Sequence, residues 1–191
     1  DATISTAKIA ANAVDETKLK DAYVVELEKK EDHRGFFARS WDAKEFSKHN
    51  LNSKLVQCNI SFSKKRGTLR GMHYQTKPFE ESKLIRCTKG KIFDAIIDLR
   101  PSSKTFKKWF GIELTEENYK MIFVPEGFAH GFQSLVDSTE IIYQVSEFYT
   151  PGYELGIHWN DPTFNIKWPL EEKIITEKDN SWKPFDVGVL E

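Results

Sequence analysis

The segment TLRGMHYQ, residues 68–75, sets His73 two residues past Gly71 and three past Arg70. Histidine titrates near neutral pH and can take or give a proton, while arginine binds anionic oxygens. Strict β alternation puts Leu69, Gly71, His73 and Gln75 on one face and Arg70, Met72 and Tyr74 on the other. Alternation alone leaves His73 with two readings, a base or a hydrogen-bonded structural histidine. A bend or bulge at Gly71 is needed to bring Arg70 to its side.

Other residues add to this. In VPEGFAHGF (124–132), Pro125, Gly127 and Gly131 mark a tight turn that delivers His130 to a strand start. His130 is there either as a rim residue that binds ligand or as a turn histidine bonded to backbone. Tyr143, in EIIYQVS, shares a face with Ile141, Val145 and Glu147 and is core or rim packing unless a base stands opposite. Lys83 opens one strand and Asp94 lies on the next, so with a turn at Lys89-Gly90 the two could pair across a hairpin. On a surface such a pair contributes little; in a cavity the lysine would stabilise a developing oxyanion. A catalytic metal is not expected: HYQ has Gln75 where a His-x-His pair would need its second histidine, and no other His-x-His occurs.

The elements that must position these side chains read as β. LVQCNISFS (55–63) alternates, with Val56, Cys58, Ile60 and Phe62 on one face and Gln57, Asn59, Ser61 and Ser63 on the other. A strand with a fully polar second face lies on the surface or lines a polar cavity. Further strands are expected over 83–88, 91–100, 109–114, 119–125, 130–136 and 139–149, with Gly or Pro at most junctions. Asp42 opens a short helix over 42–51. Many short strands with tight turns predict an all-β sandwich or barrel with short peripheral helices.

Composition bounds the function. The 191 residues suit one domain with a core, and 30% charged against 39% hydrophobic residues describe a globular chain. A formal net charge of −1 gives no basic field for nucleic acid. No run approaches the roughly 18 apolar residues of a membrane span, and no secretory start is visible, so the expectation is cytoplasmic. Cys58 and Cys87 lie in apolar runs and are expected to be reduced, buried and structural. TAKIAANAV (6–14) is answered by TKLKDAYV (17–24), similar to short repeats in phage tail-fibre linkers. Residues 1–16 therefore read as an arm and 17–191 as the domain.

Taken in order, EDHRGFFARSW, VQCNISFSKKRGTLRGMHYQ, KLIRCTKGKIFDAIIDLR, VPEGFAHGFQSL, YQVSEFYTPGYELGIHWNDP and ITEKD resemble the dTDP-4-dehydrorhamnose 3,5-epimerase family. The resemblance implies a cupin-type jelly-roll β-barrel, a homodimer, no metal and no cofactor. It implies that His73 is the general base, Asp179 the aspartate that orients it, Tyr143 the proton donor and Lys83 the lysine near the sugar's keto oxygen, with Asp94 nearby. It also implies that Arg34, Gln57, Asn59, Arg70, His130, Glu154 and Lys178 hold the dTDP-sugar, with Tyr149 near the thymine. Arg39 departs from the glutamate of some members and leaves nucleotide preference open.

The chemistry is coherent with these residues. In a 4-keto sugar the C3 and C5 protons are α to the ketone, so a base can remove either and leave an enolate. A lysine stabilises that enolate, and inversion requires an acid on the opposite face. The implied reaction is inversion at C3 and C5 of dTDP-4-dehydro-6-deoxy-D-glucose. Two alternatives stand beside it: a monofunctional 3- or 5-epimerase, and a non-catalytic sugar-nucleotide-binding module, which would lack the base or the acid.

Overall fold

The computed structural model describes residues 8–9 and 19–190. The expected arm over 1–16 lies outside the described residues, Lys8 and Ile9 excepted.

The chain opens with β1 (Lys8–Ile9) and β2 (Tyr23–Glu26), then a hairpin of β3 (Lys30–Asp32) and β4 (Gly35–Phe37). Helix α1 (Ala43–Lys48) follows. Asp42 caps it as expected, its carboxylate accepting from the Lys44 and Glu45 amides. The central strands are β5 (Gln57–Ser63), β6 (Leu69–Gln75), β7 (Lys83–Lys89), β8 (Lys91–Asp98) and β9 (Trp109–Thr115). They continue with β10 (Met121–Val124), β11 (Phe128–Ser134), β12 (Thr139–Val145) and β13 (Glu154–Gly156). The one-turn helix α2 (Glu177–Asn180) and a 3-10 turn at Val187–Leu190 close the chain. Among the described residues no helix is long and apolar enough to cross a membrane.

Two antiparallel sheets form the jelly roll, one in the order β1-β2-β10-β7-β12-β5 and the other β13-β6-β11-β8-β9. Their facing sides meet in a core where Ile85, Ile122 and Ile141 of the first sheet pack on Ile92, Ile96, Leu114 and Phe132 of the second. Both outer faces are also covered, at least in part. Phe46 of α1 lies on Val25, Leu84 and Phe123, and burying that ring is worth about 1.5–3 kcal/mol. The C-terminal segment sets Phe164 against Met72, Ala95 and Ala129. Covered on both faces, β11 is buried at every residue, which explains why FAHGFQS carries no exposed polar side.

Three expectations are corrected here. Strands β7 and β8 do not form a hairpin: the turn at Gly90 carries the chain from one sheet to the other, so Lys83 and Asp94 do not pair across it. Cys87 is buried, but Cys58 is exposed. It lies on the outer side of the edge strand β5, beyond the reach of α1, together with Ile60 (68% exposed) and Phe62 (45%). Finally, β13, which flanks His73, is not among the strands that periodicity announced.

Candidate active site

Between the two sheets lies a cavity of about 570 Å³. One wall comes from β5 and β12, and β5 turns Gln57, Asn59 and Ser61 inward. Of the two readings of this polar face, the cavity lining is the one found. Tyr143 on β12 stands beside it, in register with Asn59. The opposite wall comes from β6 and β11, with Arg70, His73 and His130.

A β-bulge brings Arg70 and His73 to the same side. His73 pairs with His130 and Arg70 with Phe132, so Gly71 and Met72 together stand opposite Gly131 alone. Gly71 has φ +119°, and a Cβ added to it would lie 2.5 Å from the Gly131 Cα. Only paired glycines allow this approach. Met72 then turns outward into the buried cluster beneath the C-terminal segment. The Arg70 guanidinium donates to the Phe62 carbonyl at 3.1 Å, and its Nε is buried without a partner.

His73 Nε2 donates to Asp179 Oδ1 at 2.7 Å, and the Gly71 amide donates to Asp179 Oδ2 at 3.3 Å. Thr176 caps α2 and accepts from the Asp179 amide, which fixes that carboxylate in place. Burial pushes the Asp179 pKa up. The hydrogen bond and charge of His73, with the Gly71 amide, outweigh burial and hold it below the ordinary carboxylate value. Asp179 is thus ionised, and His73 keeps Nδ1 as the nitrogen available to accept a proton.

Burial pushes the Tyr143 phenol up, the charges of Glu81 and Glu154 add to that, and Arg70 opposes it. The Tyr143 phenol therefore keeps its proton near pH 7. The Lys83 ammonium lines the cavity and pairs with Glu81 at 3.0 Å. Glu154 pairs with Lys178 and accepts from the Tyr149 hydroxyl at 3.4 Å, while the Tyr149 amide donates to Gln57 Oε1 at 2.8 Å. The hydrogen bond to Glu154 raises the Lys178 pKa against burial, so this ammonium stays charged.

Two residues expected in the site stand elsewhere. Asp94 does not line the cavity. It is fully buried behind His130, which donates from Nε2 to Asp94 Oδ2 at 2.8 Å. Arg34 is on the exposed β3–β4 hairpin, paired with Asp32 at 2.7 Å, outside the cavity of its own chain. Arg39 is likewise outside, paired with Asp42. Glu81, which lines the cavity, was missed, although it stands only two residues before Lys83. A second cavity of about 600 Å³ shares Tyr74 and Gln75 with this one but has no histidine in its lining. Among the described residues no group of three or more His, Cys, Asp or Glu side chains is arranged to hold a metal ion. Gln75 is used structurally, bonding Phe79, Phe148 and Thr150.

The family model described as dTDP-4-dehydrorhamnose 3,5-epimerase matches residues 16–186. The chain belongs to the dTDP-4-dehydrorhamnose 3,5-epimerase family. A family member from Methanothermobacter thermautotrophicus is 44% identical over 173 residues, covering 88% of this chain and 92% of that one. The Bacillus anthracis 3,5-epimerase, solved with TDP and pyrophosphate bound, superposes with a TM-score of 0.86 at 38% identity, covering 93% of this chain and 99% of the other. The Legionella pneumophila epimerase, in complex with dTDP-4-keto-L-rhamnose, has a TM-score of 0.84 at 35% identity and covers 91% and 94%. The epimerase fold thus extends over nearly the whole described chain.

Proposed function

We propose that this chain inverts C3 and C5 of dTDP-4-dehydro-6-deoxy-D-glucose to give dTDP-4-dehydro-L-rhamnose, a step in deoxysugar synthesis. The observation that carries the proposal is the placement of an Asp179-oriented histidine on one wall of a polar cavity and a neutral tyrosine on the facing wall. In each half-reaction His73 Nδ1 takes the proton α to the C4 ketone. The C–H electron pair passes into the enolate, whose oxygen Lys83 stabilises. Tyr143 then delivers a proton to the other face of that carbon, and solvent restores both residues. Two rounds, one at each carbon, complete the change. Arg70 and Lys178 meet the diphosphate, with Gln57, Asn59, His130 and Glu154 as further polar contacts and Tyr149 against the thymine.

NMR of the substrate in D2O tests this. Deuterium should enter at C3 and C5 and be absent with His73→Ala. Label at one carbon only would establish the monofunctional epimerase instead. Bound ligand without label would establish a binding module.

The same proposal includes a homodimer in the cytoplasm, with residues 17–191 as the catalytic domain. Support comes from the uncovered Cys58, Ile60 and Phe62 face of β5 and from Arg34, which has no access to its own cavity. A second copy covers the first and gives the second a site to enter. Light scattering of the parent and of Ile60→Lys checks this: a dimer that the variant dissociates is expected, and a monomeric parent would overturn it. Removal of residues 1–16 should leave turnover intact.

A further inference from the structure

Trp182 belongs to none of the motifs that carry the family resemblance, yet its indole stands against His73. The rings of His73 and Trp182 are 6.3 Å apart, edge to face. The sheet register explains how the indole gets there. On β13 the residue directly opposite His73 is Gly156, so a side chain at 156 would project beside the imidazole. A Cβ built on Gly156 would lie 2.3 Å from the Trp182 Cε2 and 2.4 Å from its Nε1. The indole therefore occupies the slot of the missing cross-strand side chain. No hydrogen bond holds it there, since Trp182 Nε1 is buried without a partner. Packing alone sets the ring, with the Lys178 ammonium 5.7 Å from its centroid on the cavity side.

We propose that Trp182 is a positioning residue for the base: it fills the space over Gly156 and keeps the His73 ring from turning about its bond to Asp179. The Asp179 contact restrains one nitrogen only, and the imidazole needs a second support to keep Nδ1 directed at the sugar. This inference rests on the reading of His73 as base.

The test compares Trp182→Ala, Trp182→Phe and Gly156→Ala in the full chain. An edge-to-face aromatic contact is worth enough to change a rate by about two- to tenfold. Trp182→Ala should lower kcat by that factor with KM within about twofold, because substrate affinity is left in place. Trp182→Phe should restore most of kcat. Gly156→Ala, which pushes the indole out while keeping it in the chain, should repeat the loss. Parental kcat in a folded Trp182→Ala, or a rise in KM alone, would overturn the proposal. A second readout needs neither substrate nor the alanine variant. A protonated imidazole quenches a touching indole, so the emission difference between the parent and Trp182→Phe should titrate with pH and stop titrating when His73→Asn is added to both. A difference that ignores His73 would also overturn the proposal. If the parent fails to turn over the dTDP-sugar, the proposed function fails, while this titration still decides the contact.

Discussion

His73 Nε2 and Asp179 Oδ1 lie 2.7 Å apart although 106 residues separate them in sequence. In the proposed reaction this pair is what makes a strand histidine a base. A carboxylate on one nitrogen fixes the tautomer and stabilises the imidazolium formed when the other nitrogen takes a proton. Asp179→Asn keeps the shape and removes the charge, so kcat should fall by about 10²–10⁴, measured as deuterium incorporation at C3 and C5.

The same aspartate contributes to stability in a pH-dependent way. Its folded pKa is below the ordinary 3.8, so the contribution is present above that value and is lost as pH falls through the folded value. Urea melts of the parent should therefore weaken steeply below about pH 4, and Asp179→Asn should flatten that limb. Parallel acid limbs in the two proteins would contradict the assignment.

Tyr143 and His73 line one cavity from different sheets, which in the proposed reaction separates proton removal from proton return. Tyr143→Phe leaves the base intact. It should still exchange substrate protons with solvent, by return from His73 to the same face, while inversion falls by at least about 10². Chiral product analysis beside NMR in D2O distinguishes the two. Loss of exchange and inversion together would mean that Tyr143 serves removal as well.

Lys83 is held by Glu81 at the cavity, where an enolate oxygen would form. In the proposed reaction its contribution belongs to the transition state. Lys83→Gln should lower kcat by about 10²–10³ with a much smaller change in KM, read from steady-state kinetics.

Gly71 and Gly131 make the bulge that puts Arg70 and His73 on one side. A Cβ on Gly131 would lie 2.6 Å from the Met72 sulfur and 2.8 Å from the Arg70 carbonyl. A side chain at Gly71 would additionally have to adopt positive φ. Gly71→Ala should cost about 1–3 kcal/mol in chemical denaturation and should raise KM, because it would displace Arg70 from the position in which it is proposed to meet the diphosphate.

Much of this was written in local sequence. Period two in VQCNISFS separated the face carrying Gln57 and Asn59 from the face carrying Ile60 and Phe62, because side chains of a strand must alternate. Asp42 announced α1, because its carboxylate satisfies amides that the first turn leaves free. Ordered motifs across the chain named the family and with it His73, Tyr143, Lys83 and Asp179. What sequence determined is therefore the elements, the family and the chemical types in the site.

Tertiary structure decided which groups meet. Alternation cannot say which face of β5 turns inward, since that depends on the sheet placed opposite. It cannot foresee that two residues of β6 will share one partner on β11, since the bulge arises between strands. Lys83 and Asp94, eleven positions apart, were separated because the turn at Gly90 changes sheets, and Asp94 was given to His130 instead. Asp179 and Trp182 reach His73 only because the C-terminal segment folds back over β6 and β13. These contacts join residues that no local periodicity relates, and only the pairing of distant strands and the return of the C-terminal segment bring them together.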